Sequence, residues 1–342
     1  MTKPLLSVLI DTFNHEKYIE QCVLSAIEQD FPAADYEIVV VDDGSTDRTP
    51  EIVRKFAPRV RLLQKKNGGQ ASAFNVAFPE LRGEIISCLD GDDWFAPSKL
   101  KSVASAFEQN PRAGAVSHGH YEFHERTGET KLRAPKQSAF FSLATPEAAG
   151  LAWTYWPFLI VGAVTVRKEV FARVVPIPEV LVFCADGPIA WSAMASGTLV
   201  LQEPLCYYRF HEANLHTVDA SNRRKLHRKA EMMEIMFQEV EPMLIRMGVG
   251  REAMLASFYR WWVLISRSRL HDFGGGRRET MQTEVRSFQS EYRNPTLAYR
   301  LFRYALAGAA VVLPPRQFYT IWDWWGRQKI VRFPQALRRS GS

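Results

Sequence analysis

Asp90, Asp92 and Asp93 crowd into four residues, with Gly91 between the first two, directly after the apolar run Ile85-Ile-Ser-Cys-Leu89. Carboxylates at this density repel one another unless a cation or a donor-rich ligand sits among them. Hard divalent cations take oxygen ligands and often join protein carboxylates to substrate phosphates. The stretch is therefore either a metal–diphosphate site or an acidic turn that ends a strand. A second acidic pair, Asp42-Asp43, follows the apolar Ile38–Val41, and the turn after the first apolar run offers Asp11, Thr12 and Asn14. A carboxylate accepts hydrogen bonds from the N3–H of a pyrimidine and from ribose hydroxyls, so these residues suit a nucleoside pocket. The competing reading of Asp42-Asp43-Gly-Ser-Thr-Asp47 is turn and N-cap chemistry, the role that suits Asp47. Asn67, Gly68 and Gly69 form a polar loop whose backbone N–H groups can come close to a ligand. Asp186 stands between the apolar Val182-Phe-Cys-Ala185 and Gly-Pro. There it serves as an N-cap, as a general base kept ionised by a helix N-terminus, or as both. His211, just past Tyr207-Tyr-Arg-Phe210, is either structural or an imidazole ligand to a metal.

The elements that must position these residues alternate along the chain. Leu5–Asp11, Ile38–Val41, Val60–Gln64 and Glu84–Asp90 read as buried strands. Glu16–Gln29, Thr49–Ala57 and Ser72–Leu81 read as the helices between them, with Thr49 as an N-cap and Pro50 in the first turn. This pattern predicts an α/β fold: a doubly wound, mostly parallel sheet with three of its four first strands ending in Asp-containing turns on one edge. Next come a helix over Pro97–Gln109, a strand over Ala113–Phe123 and a surface excursion over 124–146. Ala148–Val166 has no charged residue, but Pro157 between Gly150 and Gly162 argues against a membrane span. It reads instead as a helix to Tyr155 and a buried strand Leu159–Val166. A helix from Asp186 to Ser196 and two short strands, Leu199–Gln202 and Leu205–Arg209, follow. From Arg223 the texture is helical; Met233, Met236, Phe237, Val240, Met243, Leu244 and Met247 form a stripe suited to core packing, with a kink at Pro242. The expected division is a sheet domain over 1–220 and a helical, basic C-terminal region over 221–342.

At 342 residues with 46% hydrophobic and 23% charged residues, the chain is globular and not disordered. Cys22, Cys88, Cys184 and Cys206 form no Cys-x-x-Cys pair and read as reduced, structural thiols. The start of the chain leaves no room for a signal peptide, so the expected location is the cytoplasm. The net charge of +6 is uneven: from Arg251 onward there are sixteen Lys and Arg against six Asp and Glu. Five of the nine tryptophans (Trp261, Trp262, Trp322, Trp324 and Trp325) fall in the same region. This surface either meets anionic lipid headgroups as a peripheral contact on the inner face of a membrane, or packs onto the rest of the chain with its arginines solvated. No nucleic-acid-binding module is recognisable.

Taken together these residues resemble the family 2 glycosyltransferases of the type-A (GT-A) fold, over roughly residues 4–212. The likeness rests on Ser7-Val-Leu-Ile-Asp-Thr-Phe-Asn14, Val39-Val-Val-Asp-Asp-Gly-Ser-Thr-Asp47 and Asn67-Gly-Gly-Gln-Ala-Ser-Ala73. Gly83-Glu-Ile-Ile with Leu89-Asp-Gly-Asp-Asp-Trp94, and Pro204-Leu-Cys-Tyr-Tyr-Arg-Phe-His211, complete it. The resemblance implies that Thr12, Phe13, Asn14, Asp42 and Asp43 hold the nucleoside of a sugar nucleotide. Asp90 and Gly91 would lie near its ribose or sugar. Asp92 and His211 would ligate Mg²⁺ or Mn²⁺, and Asp186 would be the catalytic base. Three departures stand out. Asp11 occupies a position where proline or threonine is usual, Phe74 replaces an arginine so that one phosphate contact is either missing or supplied by Lys65 or Lys66, and Cys184-Ala185 replaces an acidic neighbour of the base.

The activity so implied is inverting transfer of a sugar from a nucleotide-diphosphate donor, UDP favoured, to a hydroxyl of a saccharide or lipid-linked acceptor in cell-surface polysaccharide or glycolipid biosynthesis. One rival is a nucleotidyltransferase that makes such a donor. That activity calls for an early glycine-rich loop with a basic residue, where this chain has Asp11-Thr-Phe-Asn14. The other rival is a non-catalytic member that only binds the sugar nucleotide.

Overall fold

Strands that are apolar on both faces belong inside a parallel sheet, and the first half of the chain supplies them with short helices between. The computed structural model describes residues 5–182, 185–212, 223–291 and 297–327. In order these give β1 (Leu6–Thr12), α1 (Ile19–Ile27), β2 (Tyr36–Asp42), α2 (Thr49–Arg54), β3 (Val60–Gln64), α3 (Gln70–Ala77), β4 (Ile85–Asp90), β5 (Trp94–Phe95) and α4 (Lys99–Gln109). Then come β6 (Ala115–His124), β7 (Glu129–Arg133), β8 (Ala139–Phe141), α5 (Pro146–Gly150), α6 (Ala152–Tyr155), β9 (Thr165–Arg167), α7 (Lys168–Ala172), α8 (Asp186–Ser196) and β10 (Thr198–Phe210). The remainder is helical: α9 (Arg223–Arg246), α10 (Arg251–Ala256), α11 (Phe258–Phe273), α12 (Arg277–Glu291), α13 (Leu297–Val312) and α14 (Pro315–Arg327).

The described strands form one sheet in the order β3-β2-β1-β4-β9-β6-β10-β5, with β7 beside β6 and β8 beside β10. β1 pairs in parallel with β2 and β4, β2 with β3, and β6 with β10. The short β9 runs antiparallel between β4 and β6, so those two share the common direction. The result is the expected Rossmann-like α/β sheet, mostly parallel, with antiparallel additions at β5, β7, β8 and β9. Leu6, Val8, Ile10, Ile38, Val40 and Leu89 meet Ile19, Cys22 and Val23 of α1 and Leu100, Val103 and Phe107 of α4 in the main core. The register is what brings the acids together: Asp11 lies opposite Asp90, and Thr12 opposite Asp42.

Several local expectations change. The strand expected at Leu159–Val166 shrinks to Thr165–Arg167, because the carbonyls of Gly162 and Ala163 turn inward to accept hydrogen bonds from the buried Lys99 ammonium at 2.7 and 3.5 Å. The two strands expected around Pro204 are one strand, β10, bulged on either side of that proline. The excursion over 124–146 contains β7 and β8. Helix α2 starts with Thr49 as its first residue and Arg48 in the cap position. The Thr49 hydroxyl instead accepts the His15 N–H at 2.8 Å, and Asp47 accepts the Thr49 N–H at 3.0 Å.

The chain divides into two compact units. One comprises Met1–Ala144, Leu151–Asp219 and Gln238–Val249; the other comprises Thr145–Gly150, Ala220–Phe237 and Gly250–Ser342. The first contains the sheet. Of the methionine stripe, Met236, Phe237, Val240, Met243 and Leu244 are buried, as core packing requires, and Met232 is buried where Met233 is half-exposed. In the helical unit, Leu270, Ala310, Phe318 and Tyr319 form a core against which Trp322 packs, and the Arg286 guanidinium lies 3.7 Å from the centre of the Trp262 ring. Cys184 and the side chains of Trp324 and Trp325 lie outside the described residues. Among the described residues no helix is long and apolar enough to cross a membrane.

Candidate functional site

The site forms where β1, β2 and β4 end side by side, outside the carboxyl ends of a parallel sheet. Asp11 and Asp90 face each other across β1 and β4. The Gln70 side-chain amide, at the start of α3, donates to Asp90 Oδ1 at 3.0 Å. Asp11 Oδ1 is buried with no hydrogen-bond partner. Burial pushes the Asp11 carboxyl up to about 7, Gln70 pulling it down and the Asp92 charge adding to the rise. Burial, and then the charges of Asp11, Asp92 and Asp93, hold Asp90 well above the usual carboxylate range.

Asp92 differs. Burial would raise it, but its net shift is downward because His211 donates a hydrogen bond and His15 lies nearby. His211 Nε2 is 2.9 Å from Asp92 Oδ2, and His15 Nε2 is 4.0 Å from the same oxygen. The strand end that carries His211 is clamped to the acidic turn by Arg209. Its backbone N–H donates to Asp93 Oδ1 at 2.7 Å and its Nε to the Asp92 carbonyl at 2.8 Å, while its guanidinium lies 4.6 Å from the Trp94 ring centre and 4.8 Å from that of Tyr18. Glycine is required between the two acids: a Cβ on Gly91 would fall 2.6 Å from Thr12 Oγ1 and 2.7 Å from His15 Nδ1.

The second acidic pair is tied into its own loops. Asp42, wholly buried, accepts the Ser45 N–H at 3.1 Å and the Gln64 amide at 3.2 Å. Asp43 accepts Lys65 Nζ at 2.5 Å and the N–H groups of Gly68 and Gly69, the latter at 2.7 Å. The Asn67 side chain donates to the Asp43 carbonyl at 3.1 Å. Lys65 and the glycine amides, considered from sequence as ligand contacts, are thus held by Asp43. Asn14 takes a left-handed conformation, with φ at +56°, and its Oδ1 accepts the Thr46 N–H at 2.8 Å. That contact pins the two strand-end turns to each other. Phe13 is 42% exposed, which leaves an aromatic face open at the mouth.

Asp186 is the first residue of α8, with Ala185 in the cap position. The helix therefore lacks the side-chain N-cap that Asp186 was considered for. Its place in the first turn still favours the ionised carboxylate. Asp186 lines a small cavity of about 10 Å³, scarcely one water's worth, with Phe74, Cys88, Val161 and Ile189. Phe74, which stands where the resembled family often has an arginine, is buried edge-on to Phe171 in the core.

Asp90, Asp92 and Asp93 can each bring a carboxylate oxygen within 4.8 Å of the other two. Buried like charges beside the orphaned Asp11 oxygen fit a hard divalent cation, and a histidine on Asp92 adds a nitrogen donor at ligand spacing. The site thus brings together Asp11, Thr12, Asp90, Gly91, Asp92 and His211 from the sequence reading. His15, Gln70 and Arg209 were not singled out. Only their long-range partners mark them, and no local pattern carries that signal.

The family model described as Glycosyl transferase family 2 matches residues 7–174. A relative from Nostoc sp., described as an uncharacterized glycosyltransferase, is 31% identical over 260 residues, 73% of this chain and 79% of its own length. The poly(ribitol-phosphate) beta-N-acetylglucosaminyltransferase TarS of Staphylococcus aureus is 38% identical over 108 residues, 30% of this chain and 19% of TarS. A crystal structure of TarS residues 1–349 in complex with UDP-GlcNAc superposes with a TM-score of 0.54 at 19% identity, covering 88% of this chain and 90% of that one.

Proposed function

The chain belongs to the family 2 glycosyltransferases, and from that premise we propose that it transfers a sugar, with inversion, from a UDP-sugar to a hydroxyl of a saccharide or lipid-linked saccharide. The observation that carries the donor reading is the packing of Asp11, Asp90, Asp92 and His211 at the carboxyl ends of β1, β4 and β10. The UDP-GlcNAc complex of TarS supports UDP as the nucleotide. In this reading the exposed Phe13 ring and either Asp42 or Asp43 lie at the base, and Asn67, Gly68 and Gly69 wall the pocket beside them. Thr12 and Asn14 fix the strand-end turns, and Asp11, Asp90 and Gly91 face the ribose and sugar. Asp92 and His211 hold Mg²⁺ or Mn²⁺; when bound, the cation supplies positive charge beside the departing diphosphate.

Asp186 accepts the proton of the acceptor hydroxyl as that oxygen attacks the anomeric carbon from the side opposite the nucleotide. The base must be ionised when the acceptor arrives, and the first turn of α8 favours that state. Acceptor assembly into cell-surface polysaccharide or glycolipid, on the cytoplasmic face of a membrane, is consistent with the free buried thiols of Cys22, Cys88 and Cys206 and with the basic C-terminal region.

The test is a thermal-shift panel of UDP-, GDP-, dTDP- and CMP-sugars with and without Mn²⁺. The expected outcome is stabilisation by a UDP-sugar that requires the metal and grows with ligand excess over Kd. No metal-dependent shift with any donor would overturn the reading.

A further inference from the structure

One imidazole on Asp92 was expected; the fold brings two. His15 Nε2 lies 4.0 Å from the Asp92 oxygen that His211 Nε2 contacts at 2.9 Å. The ring is placed with care. Its Nδ1 is 3.1 Å from Thr12 Oγ1, its backbone N–H donates to Thr49 Oγ1 at 2.8 Å, and the bare Cα of Gly91 leaves the space it occupies. A histidine whose second nitrogen is hydrogen-bonded to a fixed hydroxyl has its ring plane set, as the outer partners of metal-ligating imidazoles set theirs. Its side chain is 22% exposed, so the ring is not sealed in the core.

We propose that His15 is a second imidazole ligand of the cation site on Asp92 and His211, and that the pair biases the site toward Mn²⁺ over Mg²⁺. The inference rests on the metal-dependent donor reading above and adds this residue and the metal preference to it. Two neighbouring ligands of an octahedral ion at about 2.1 Å lie about 3 Å apart. His211 and Asp92 already hold that spacing, and His15 reaches it with a side-chain movement of about 1 Å. Imidazole suits the later first-row metals, whereas Mg²⁺ sites are built from carboxylate, phosphate and water oxygens. Each added nitrogen therefore shifts the balance toward Mn²⁺.

The test is Mn²⁺ binding to the full chain with UDP present, read by titration calorimetry and by pulsed electron spin resonance of ¹⁴N coupled to the ion. Wild type is expected to show two coupled imidazoles, and His15→Gln and His211→Gln one each. His15→Gln is also expected to weaken Mn²⁺ roughly tenfold or more and Mg²⁺ much less. Thr12→Val, which frees the ring without removing it, should give an intermediate loss and covers the case in which His15→Gln fails to fold. Wild-type Mn²⁺ affinity and nitrogen signal in a folded His15→Gln protein, with both lost in Asp92→Asn, would overturn the inference and leave the donor reading standing. A wild-type chain that binds UDP-sugar but no metal, or neither, overturns both.

Discussion

Asp92 and Asp186 are both carboxylates at the carboxyl end of the sheet, and the proposed reaction gives them different tasks. Asp92 is held low by His211 and His15 and stays anionic as a ligand must. Asp186 stands in the first turn of a helix. Asp186→Asn keeps the shape and removes the proposed base. Transfer is expected to fall by roughly 10²- to 10⁴-fold, while the Mn²⁺-dependent thermal shift with UDP-sugar stays at the wild-type value. Retained turnover, measured as UDP release in the presence of acceptor, would move the base elsewhere. At this scale the sequence was informative where chemistry and position coincide. Asp90, Gly91, Asp92 and His211 stood out in the sequence as acids and a histidine at strand ends, open between a site and structural roles, and the fold brings them to one place. The partners were not legible. Asp92 and His211 are 119 residues apart, Arg209 reaches the same turn from as far away, and the pairing of Lys65 with Asp43 depends on a loop conformation that spacing does not encode.

The strands and helices that position these residues were legible wherever an apolar run ended cleanly, as at β1, β2 and β4. They were not legible where a buried polar group redirects the backbone. Lys99 is the clearest case. It is fully buried in α4, its ammonium donating to His118 Nε2 and to the Gly162 carbonyl, both at 2.7 Å. The other nitrogen, His118 Nδ1, donates to the Gly119 carbonyl at 2.6 Å, which leaves Nε2 as the acceptor. An apolar run thereby ends as a turn and three residues of β9, and no hydropathy pattern reports the lysine beneath it. Burial lowers the Lys99 ammonium from 10.5 to about 8. Between those values the unfolded chain keeps the proton and the folded chain has lost it, so stability rises with pH across the window. The gain is complete above the unfolded value and lost as pH falls through the folded one. It is worth about 3 kcal/mol at most. Urea denaturation at about pH 7.5 and about pH 9.5 should give a rise in wild type that is absent in Lys99→Met, whatever the variant's stability at the lower pH. Parallel slopes in the two proteins would show that Lys99 does not carry the titration.

At the scale of the whole molecule the charge asymmetry acquires a partial physical account. From Arg251 onward the chain is strongly basic, and the described part of that region uses several of its arginines internally. Glu284, 1% exposed, accepts two hydrogen bonds from Arg267, at 2.8 and 2.7 Å, and one from the Tyr319 hydroxyl at 3.2 Å, with Arg303 3.7 Å away. Arg267 and Arg303 each lie within 6 Å of the Trp322 ring centre, at 5.6 and 5.8 Å. One buried acid therefore organises two cations and an aromatic cluster in the helical unit, and part of the sequence signal that suggests a lipid surface is core chemistry. Glu284→Ala leaves the guanidiniums of Arg267 and Arg303 without that carboxylate in a low-dielectric interior, a loss expected to cost about 3–5 kcal/mol. All residues of the proposed donor site belong to the other unit. The expected result is faster hydrogen exchange and a lower melting transition confined to α11–α14, with the UDP- and Mn²⁺-dependent shift of the sheet unit retained. Loss of nucleotide stabilisation in the same variant would instead mean that the donor site depends on the helical unit for its shape.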